Sequence, residues 1–123
     1  MLQPYEWSVL RAVPRVERGE YINVGVVVYC RPRDYLAARM TDDLTRLVAL
    51  DPTVDVEAVR RHLEGITALC AGHPSADRAP GERFRWLVAP RSTVVQAAPV
   101  HTGLTADPAA ELADLHRRMV RPL

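Results

Sequence analysis

The longest run of β-branched residues in the chain, residues 22–30, predicts an inner strand of a sheet. A charged turn at residues 18–20 precedes it. Successive side chains along a strand point to opposite faces. One predicted face is wholly apolar, so we expect helices to cover it, and it holds Ile22, Val24, Val26, Val28 and Cys30. The other face mixes an amide, two phenols and a glycine, and it holds Tyr21, Asn23, Gly25, Val27 and Tyr29.

Four other segments predict strands. Residues 5–13 alternate between apolar and polar side chains and lead through a charged loop into the central run, so the two should form an antiparallel hairpin. Residues 35–40 follow a turn and predict a third strand. Residues 83–89 and residues 93–97 predict two more strands, separated by a break at residues 90–92.

Three segments predict helices, because apolar residues recur every three or four positions behind a capping residue. Thr41 should cap a short helix. Asp55 should cap a longer one, and Asp107, which is followed by proline, should cap the last. Residues 73–82 predict a loop, and residues 98–106 predict irregular structure.

The order of these elements predicts an α+β fold, since strands come first, then helices, then strands and a final helix. We expect a mainly antiparallel sheet with helices packed on one face. At 123 residues the chain is long enough for one core and short for two. A single α+β domain over residues 1–123 is therefore expected.

Composition narrows the class of protein. Apolar residues make up 48% of the chain and charged residues 25%, as in ordinary soluble globular proteins. The formal net charge of +1 gives no global field that attracts nucleic acid or membrane. The N-terminus lacks the features of a signal peptide and no apolar run is long enough to span a bilayer, so we expect a cytoplasmic protein. Cys30 and Cys70 should be buried thiols, because both lie on predicted apolar faces.

Common enzymatic signatures are absent from the sequence. It contains no glycine-rich phosphate loop, no dinucleotide fingerprint and no Gly-x-Ser-x-Gly nucleophile elbow. The four histidines are scattered, without the paired spacing that binds zinc. We therefore expect no metal and no cofactor, and the sequence leaves open whether the protein is an enzyme.

The first of two polar stretches surrounds the start of the central strand. Arg18 and Glu20 flank a glycine, and they favour a solvent-exposed ion pair that contributes little to stability. Asn23 is different, because an amide beside a buried strand needs hydrogen-bond partners. These three residues are candidates for ligand binding.

The second polar stretch lies between the last predicted strands and the final helix. Loops held by a rigid sheet are where binding groups concentrate. Arg91 could hold an anion with the hydroxyl groups of its neighbours, or these side chains could only bond the loop backbone, and the sequence leaves both open. The candidate ligand-binding residues here are Arg91, Ser92, Thr93, Gln96, His101 and Thr102.

Three segments together resemble a known family. They are RGEYINVGVV from Arg18, APRSTVVQ from Ala89 and VHTGL from Val100. This combination is similar to an actinobacterial domain of unknown function whose members are often encoded beside HipA-like kinases. The resemblance spans nearly the whole chain. It implies a gene neighbourhood but no reaction, and it assigns no catalytic residue.

Two functions follow as hypotheses. The first is a non-enzymatic accessory or regulatory partner of a HipA-like kinase. The alternative is a small enzyme or ligand-binding protein for an anionic small molecule, such as a phosphorylated or nucleotide substrate. In that case His101 would be a general acid or base, and Arg11 and Arg91 would hold the anion. Convergence of the candidate residues in one concave site would favour the alternative, and an exposed apolar patch on the sheet would favour the partner.

Overall fold

The computed structural model describes residues 1–73 and 77–122. Within these residues a five-stranded sheet and four α-helices form. In chain order the elements are β1 (Gln3–Ala12), β2 (Ile22–Cys30), β3 (Tyr35–Met40), α1 (Thr45–Leu50), α2 (Val56–Cys70), α3 (Pro80–Val88), β4 (Val95–Ala97), β5 (His101–Thr105) and α4 (Pro108–Met119).

The sheet is antiparallel at each of its pairings and is centred on β1. One edge of β1 pairs with β2, which in turn pairs with β3. The other edge pairs first with β5, through residues 3–7, and then with β4, through residues 10–12. The predicted hairpin of the first two strands, the strand at residues 35–40 and the α+β class are confirmed.

A β-bulge near the start of β2 changes which side chains share a face. Leu10 pairs with Gly25 but the next residue, Arg11, pairs with Asn23, so Val24 is an extra residue in β2. The extra residue shifts the alternation by one position. The single apolar face predicted for this strand is therefore wrong. Ile22 and Val24 pack on one side of the sheet, and Val26, Val28 and Cys30 pack on the other.

Helices cover both faces of the sheet, which corrects the expected cover of one face. On the first side, the α2 face, Leu63 of α2 and Phe84 of α3 are buried in one cluster with Val27. On the second side, the α4 face, Leu115 of α4 is buried with Val28. Because the bulge gives β2 apolar side chains on both faces, each face needs a helix to exclude water.

The caps of the two longest helices are confirmed. The Asp55 carboxylate accepts a hydrogen bond of 3.0 Å from the N–H of Ala58, and the Asp107 carboxylate accepts bonds from the first turn of α4. The short helix α1 begins later than predicted, at Thr45. Thr41 instead bonds the N–H of Asp43 and so shapes the turn before α1.

Residues 80–88 form helix α3, so the strand predicted at residues 83–89 is wrong. Pro80 lies in the first turn, where its missing N–H costs nothing. Phe84 and Leu87 lie three positions apart and are both buried, which is the spacing of a helix that packs on a core. The predicted loop at residues 73–82 includes residues 74–76, which lie outside the described part, and its end forms the first turn of α3.

The stretch predicted to be irregular at residues 98–106 contains β5. This short strand pairs with the start of β1, opposite Tyr5 and Trp7. Gly103 lies so close to the Tyr5 ring that an added Cβ would be 2.8 Å from a ring carbon.

Within the described residues, every helix is too short or too polar to cross a membrane.

Candidate functional site

Three of the candidate residues form one row across the sheet. Arg11 in β1 lies directly opposite Asn23 in β2 and opposite Gln96 in β4. Residues opposite each other on neighbouring strands point to the same face. The Asn23 amide donates a hydrogen bond of 3.0 Å to the carbonyl of Met119 at the end of α4, so this row lies on the α4 face.

Two stacked pairs flank the row on the same face. The guanidinium carbon of Arg11 lies 4.1 Å from the centre of the Tyr21 ring, in cation–π geometry. Nearer the start of β1, Trp7 stacks on His101 with ring centres 4.5 Å apart. His101 is exposed, and Tyr21 is 43% exposed.

The half of the α4 face that carries the row and the stacked pairs is not covered by α4. Its contacts with the sheet lie mainly on β2 and β3, whereas most of the row and the stacked pairs lie on β1, β4 and β5. The exceptions are Asn23, at the start of β2, and Tyr21, just before it. We define the open sheet surface as Trp7, Arg11, Tyr21, Asn23, Gln96 and His101. Tyr21 and His101 are exposed and the other four are half-buried, with Trp7 at the margin of the cluster beneath α4.

Two buried polar atoms of this surface belong to residues that pair directly across β1 and β2. In the part of the chain that the structure describes, Nε of Arg11 and Oδ1 of Asn23 have no hydrogen-bond partner. One atom donates and the other accepts, and the two residues are direct cross-strand neighbours.

Arg91 lies elsewhere, at the end of α3. Its guanidinium donates to the carbonyl oxygens of Trp86 and Leu87 and lies 4.1 Å from the Trp86 ring centre. A cation bonded to the last carbonyls of a helix stabilises that helix end. These contacts favour a structural role for Arg91.

The residues after Arg91 bond mostly to the local backbone. The Thr93 hydroxyl donates to the carbonyl of Val95 at 2.7 Å, and the Gln96 amide donates to the carbonyl of Thr93 at 2.8 Å. Ser92 is exposed in the same turn. This pattern favours the second of the two alternatives left open by the sequence, in which the polar side chains hold the loop.

Arg18 and Glu20 form a third, separate group. Nε of Arg18 donates to the Glu20 carboxylate at 2.6 Å, with about half or more of each side chain exposed. This hydrogen bond lowers the pKa of Glu20. The pair lines a groove together with Arg15 and Asp51, and none of these four residues belongs to the open sheet surface.

Thr102 lies on the opposite face of β5 from His101. It lines a groove on the α2 face together with Glu6 and Tyr29. Arg85 of α3 enters this groove and forms an ion pair of 2.7 Å with Glu6. The ten candidate residues are therefore brought to four places, and only Arg11, Asn23, Gln96 and His101 share a surface.

Two features bear on nucleophilic or metal chemistry. Cys30 and Cys70 are both buried, and burial raises the pKa of Cys70 to about 12, which disfavours a reactive thiolate. Among residues 1–73 and 77–122, no group of three or more His, Cys, Asp or Glu side chains could hold a metal ion.

Sequence reasoning did not select Trp7, Tyr21, Arg39, His116 or Arg121 as site residues. Trp7 and Tyr21 carry a usable signal, since each alternates onto the same strand face as a candidate residue. For His116 a signal exists in the spacing of α4, where it comes four positions after the buried Leu112. Arg39 and Arg121 have no local signal, because only the packing of α4 on β3 brings them to one groove.

Comparison with known proteins gives one assignment. No curated protein and no solved structure matches the chain. A protein family described as "Protein of unknown function (DUF3037)" matches residues 7–120. That range contains all five strands except the first residues of β1, and all four helices of the described residues. The chain therefore belongs to the DUF3037 family.

Proposed function

We propose that the protein is a non-enzymatic accessory or regulatory partner of a HipA-like kinase and binds the kinase through the open sheet surface. The observation that carries this proposal is the concentration of Trp7, Tyr21, His101 and Arg11 on the half of the α4 face that α4 leaves uncovered. Tryptophan, tyrosine and arginine side chains contribute most of the binding free energy in protein interfaces.

Arg11 would give the interface its specificity. The Tyr21 ring and the neighbouring strands hold its guanidinium in one place, so little conformational entropy is lost when a partner binds. A carboxylate of the partner would gain charge-assisted hydrogen bonds from it. We therefore expect an acidic side chain in the part of the kinase that meets Arg11.

The positions of the other candidate residues support a binding protein over a small enzyme. Arg91, Thr93 and the Arg18–Glu20 pair bond within the protein and lie at separate places. General acid–base chemistry needs its groups within hydrogen-bond reach of one substrate. The HipA-like kinase is proposed as the partner because the resemblance found in the sequence implies a gene neighbourhood shared with such kinases.

Co-expression with a HipA-like kinase from the same genome tests the proposal. We expect one complex in size-exclusion chromatography, with an interface of about 1,200–2,000 Å² in total. The double variant Tyr21→Ala/His101→Ala should weaken the complex by about 30-fold or more, as expected when residues that dominate an interface are removed.

Trp86→Ala is the matched control. Trp86 is an aromatic residue with 54% exposure on α3, on the opposite side of the sheet. Its removal should leave the affinity unchanged. Separate elution of the two proteins at micromolar concentration, or equal weakening by Trp86→Ala, would contradict the proposal.

A further inference from the structure

A groove at the free edge of β3 gathers charged side chains that take no part in the open sheet surface. Its volume is about 960 Å³, and it lies where β3, α2 and the end of α4 meet. We call it the β3-edge groove. Leu63 is among the apolar residues that line it.

Three arginines line this groove, and Arg60 of α2 already contacts Glu57 and the backbone carbonyl of Asp42. The other two are the candidates for a ligand. Arg39 comes from β3 and Arg121 follows α4, and both are exposed. In residues 1–73 and 77–122 neither side chain forms an ion pair or a hydrogen bond. Two guanidinium groups beside one groove form a favourable place for an anionic group.

His116 is the observation that points to a ligand. It lines the groove from α4, yet only 8% of its surface is exposed. Its ring makes a weak hydrogen bond with the backbone of Met40, and within the described residues Nε2 has no partner at full hydrogen-bond geometry. A buried ring nitrogen that is only weakly bonded gains from a further hydrogen-bond partner.

Three carboxylates line the same groove, and that of Asp43 already accepts a hydrogen bond from the N–H of Thr45. Asp42 lies after β3 and Glu64 lies on α2. Among the residues described by the structure, neither carboxylate pairs with Arg39 or Arg121. Charges of both signs therefore share one space without neutralising each other.

We propose that the β3-edge groove binds a small zwitterion that carries one phosphate or carboxylate group and one ammonium group. The anionic group lies against Arg39, Arg121 and His116. The ammonium group lies towards Asp42 and Glu64. A molecule with both charges complements all of these side chains, whereas a simple anion meets the repulsion of the two carboxylates.

The test is a titration of the ¹⁵N-labelled protein followed by NMR at low salt. The zwitterions are O-phosphoethanolamine and β-alanine, which distinguish a phosphate from a carboxylate as the anionic group. Ethyl phosphate and propionate are the matched anions without an ammonium group. We expect one zwitterion to saturate the amide shifts of residues 39–43 and 116–121, and to bind at least about fivefold tighter than its matched anion.

Three substitutions of exposed residues locate the site. Arg39→Gln and Arg121→Gln should each weaken the zwitterion by about tenfold, the loss expected for one charge-assisted hydrogen bond. Glu64→Gln should weaken the zwitterion but not the matched anion. Arg61→Gln, an exposed arginine of α2 outside the groove, is the control and should change nothing.

Three results would overturn the proposal. The first is the absence of saturable shifts with both zwitterions up to about 10 mM, far weaker than a specific site requires. The second is equal affinity for a zwitterion and its matched anion. The third is an equal effect of Arg61→Gln and Arg39→Gln. None of these results bears on kinase binding, because the open sheet surface shares no residue with this groove.

Discussion

Arg11 and Arg91 occupy different surroundings. Two nitrogen atoms of Arg91 donate to carbonyl oxygens at the end of α3. The guanidinium of Arg11 instead lies on the Tyr21 ring, and Arg11 pairs in the sheet with Asn23 and Gln96 on the neighbouring strands. Arg91 therefore stabilises a helix end, whereas Arg11 is the arginine available for the partner contact proposed above.

His116 should make stability depend on pH. Burial lowers its pKa, and the charges of Arg39 and Arg121 act in the same direction, while a hydrogen bond with the backbone of Met40 and the charge of Asp42 oppose them. The folded protein therefore favours the neutral ring. The contribution to stability is present above the ordinary pKa of 6.5 and is lost as the pH falls below it towards the folded-state pKa. We expect the wild-type Tm to fall more steeply than that of His116→Gln between about pH 7.5 and 5.5.

Two comparisons make this measurement specific. The carboxylates with lowered pKa values, Asp51 and Asp114 among them, are common to both proteins, so their titration cancels. His62→Gln removes an exposed histidine from α2 and should keep the wild-type slope. Parallel slopes for the wild type and His116→Gln would show that the ring does not titrate differently in the folded state.

At the scale of elements, the sequence predicts a helix and its first residue correctly where the local signals agree with the packing. α2 and α4 combine a capping aspartate with an apolar stripe, and both begin at the predicted residue. Residues 83–89 predict a strand from the sequence, in which Phe84 and Trp86 alternate with two arginines. The segment is a helix in the structure, because that conformation buries Phe84 and Leu87 together against the core. Trp86 stays exposed.

The failure at α3 also explains what could not be predicted about the site. The carbonyl groups of Trp86 and Leu87 point towards Arg91 because residues 80–88 are helical. A strand in this segment would leave the guanidinium of Arg91 available for an anion. The bulge at Val24 likewise made the predicted faces of β2 wrong. Alternation alone cannot reveal an extra residue, and one residue is enough to move Asn23 to the face of Val26 and Val28.

Gly25 tests the packing next to the bulge. It lies between Leu10 of β1 and Met40 of β3. An added Cβ would overlap Sδ of Met40 and lie 3.1 Å from the carbonyl oxygen of Arg39. We expect Gly25→Ala to destabilise the fold by about 1–3 kcal/mol, the usual cost of overpacking a core, measured by urea unfolding.

A second substitution separates the two clashes at Gly25. Met40→Ala removes the sulfur atom, so Gly25→Ala should cost less in a Met40→Ala background than in the wild type. The remaining cost would come from the carbonyl oxygen of Arg39, which cannot move without disturbing β3. An unchanged cost in the double variant would show that Met40 moves away freely.

At the scale of the molecule, the sheet separates two buried layers of different extent. The α2 face is covered by α1, α2 and α3, whereas the α4 face has one helix for five strands. A single helix cannot cover the whole of that face. The uncovered half is where the rings of Trp7, Tyr21 and His101 lie, so the open sheet surface follows from this unequal distribution of helices.

Two neighbouring residues of β2 test whether both layers are buried. Val26 packs on the α4 face and Val27 on the α2 face, and both are fully buried. A sheet covered on one face would tolerate a charge at one of these positions. We expect Val26→Asp and Val27→Asp each to cost about 4 kcal/mol or more, because either substitution buries a charge without a partner. Val48→Asp, at a position 39% exposed on α1, should stay within about 1 kcal/mol of the wild type in urea unfolding. Near-wild-type stability of either buried variant would mean that the corresponding face of the sheet is open to water.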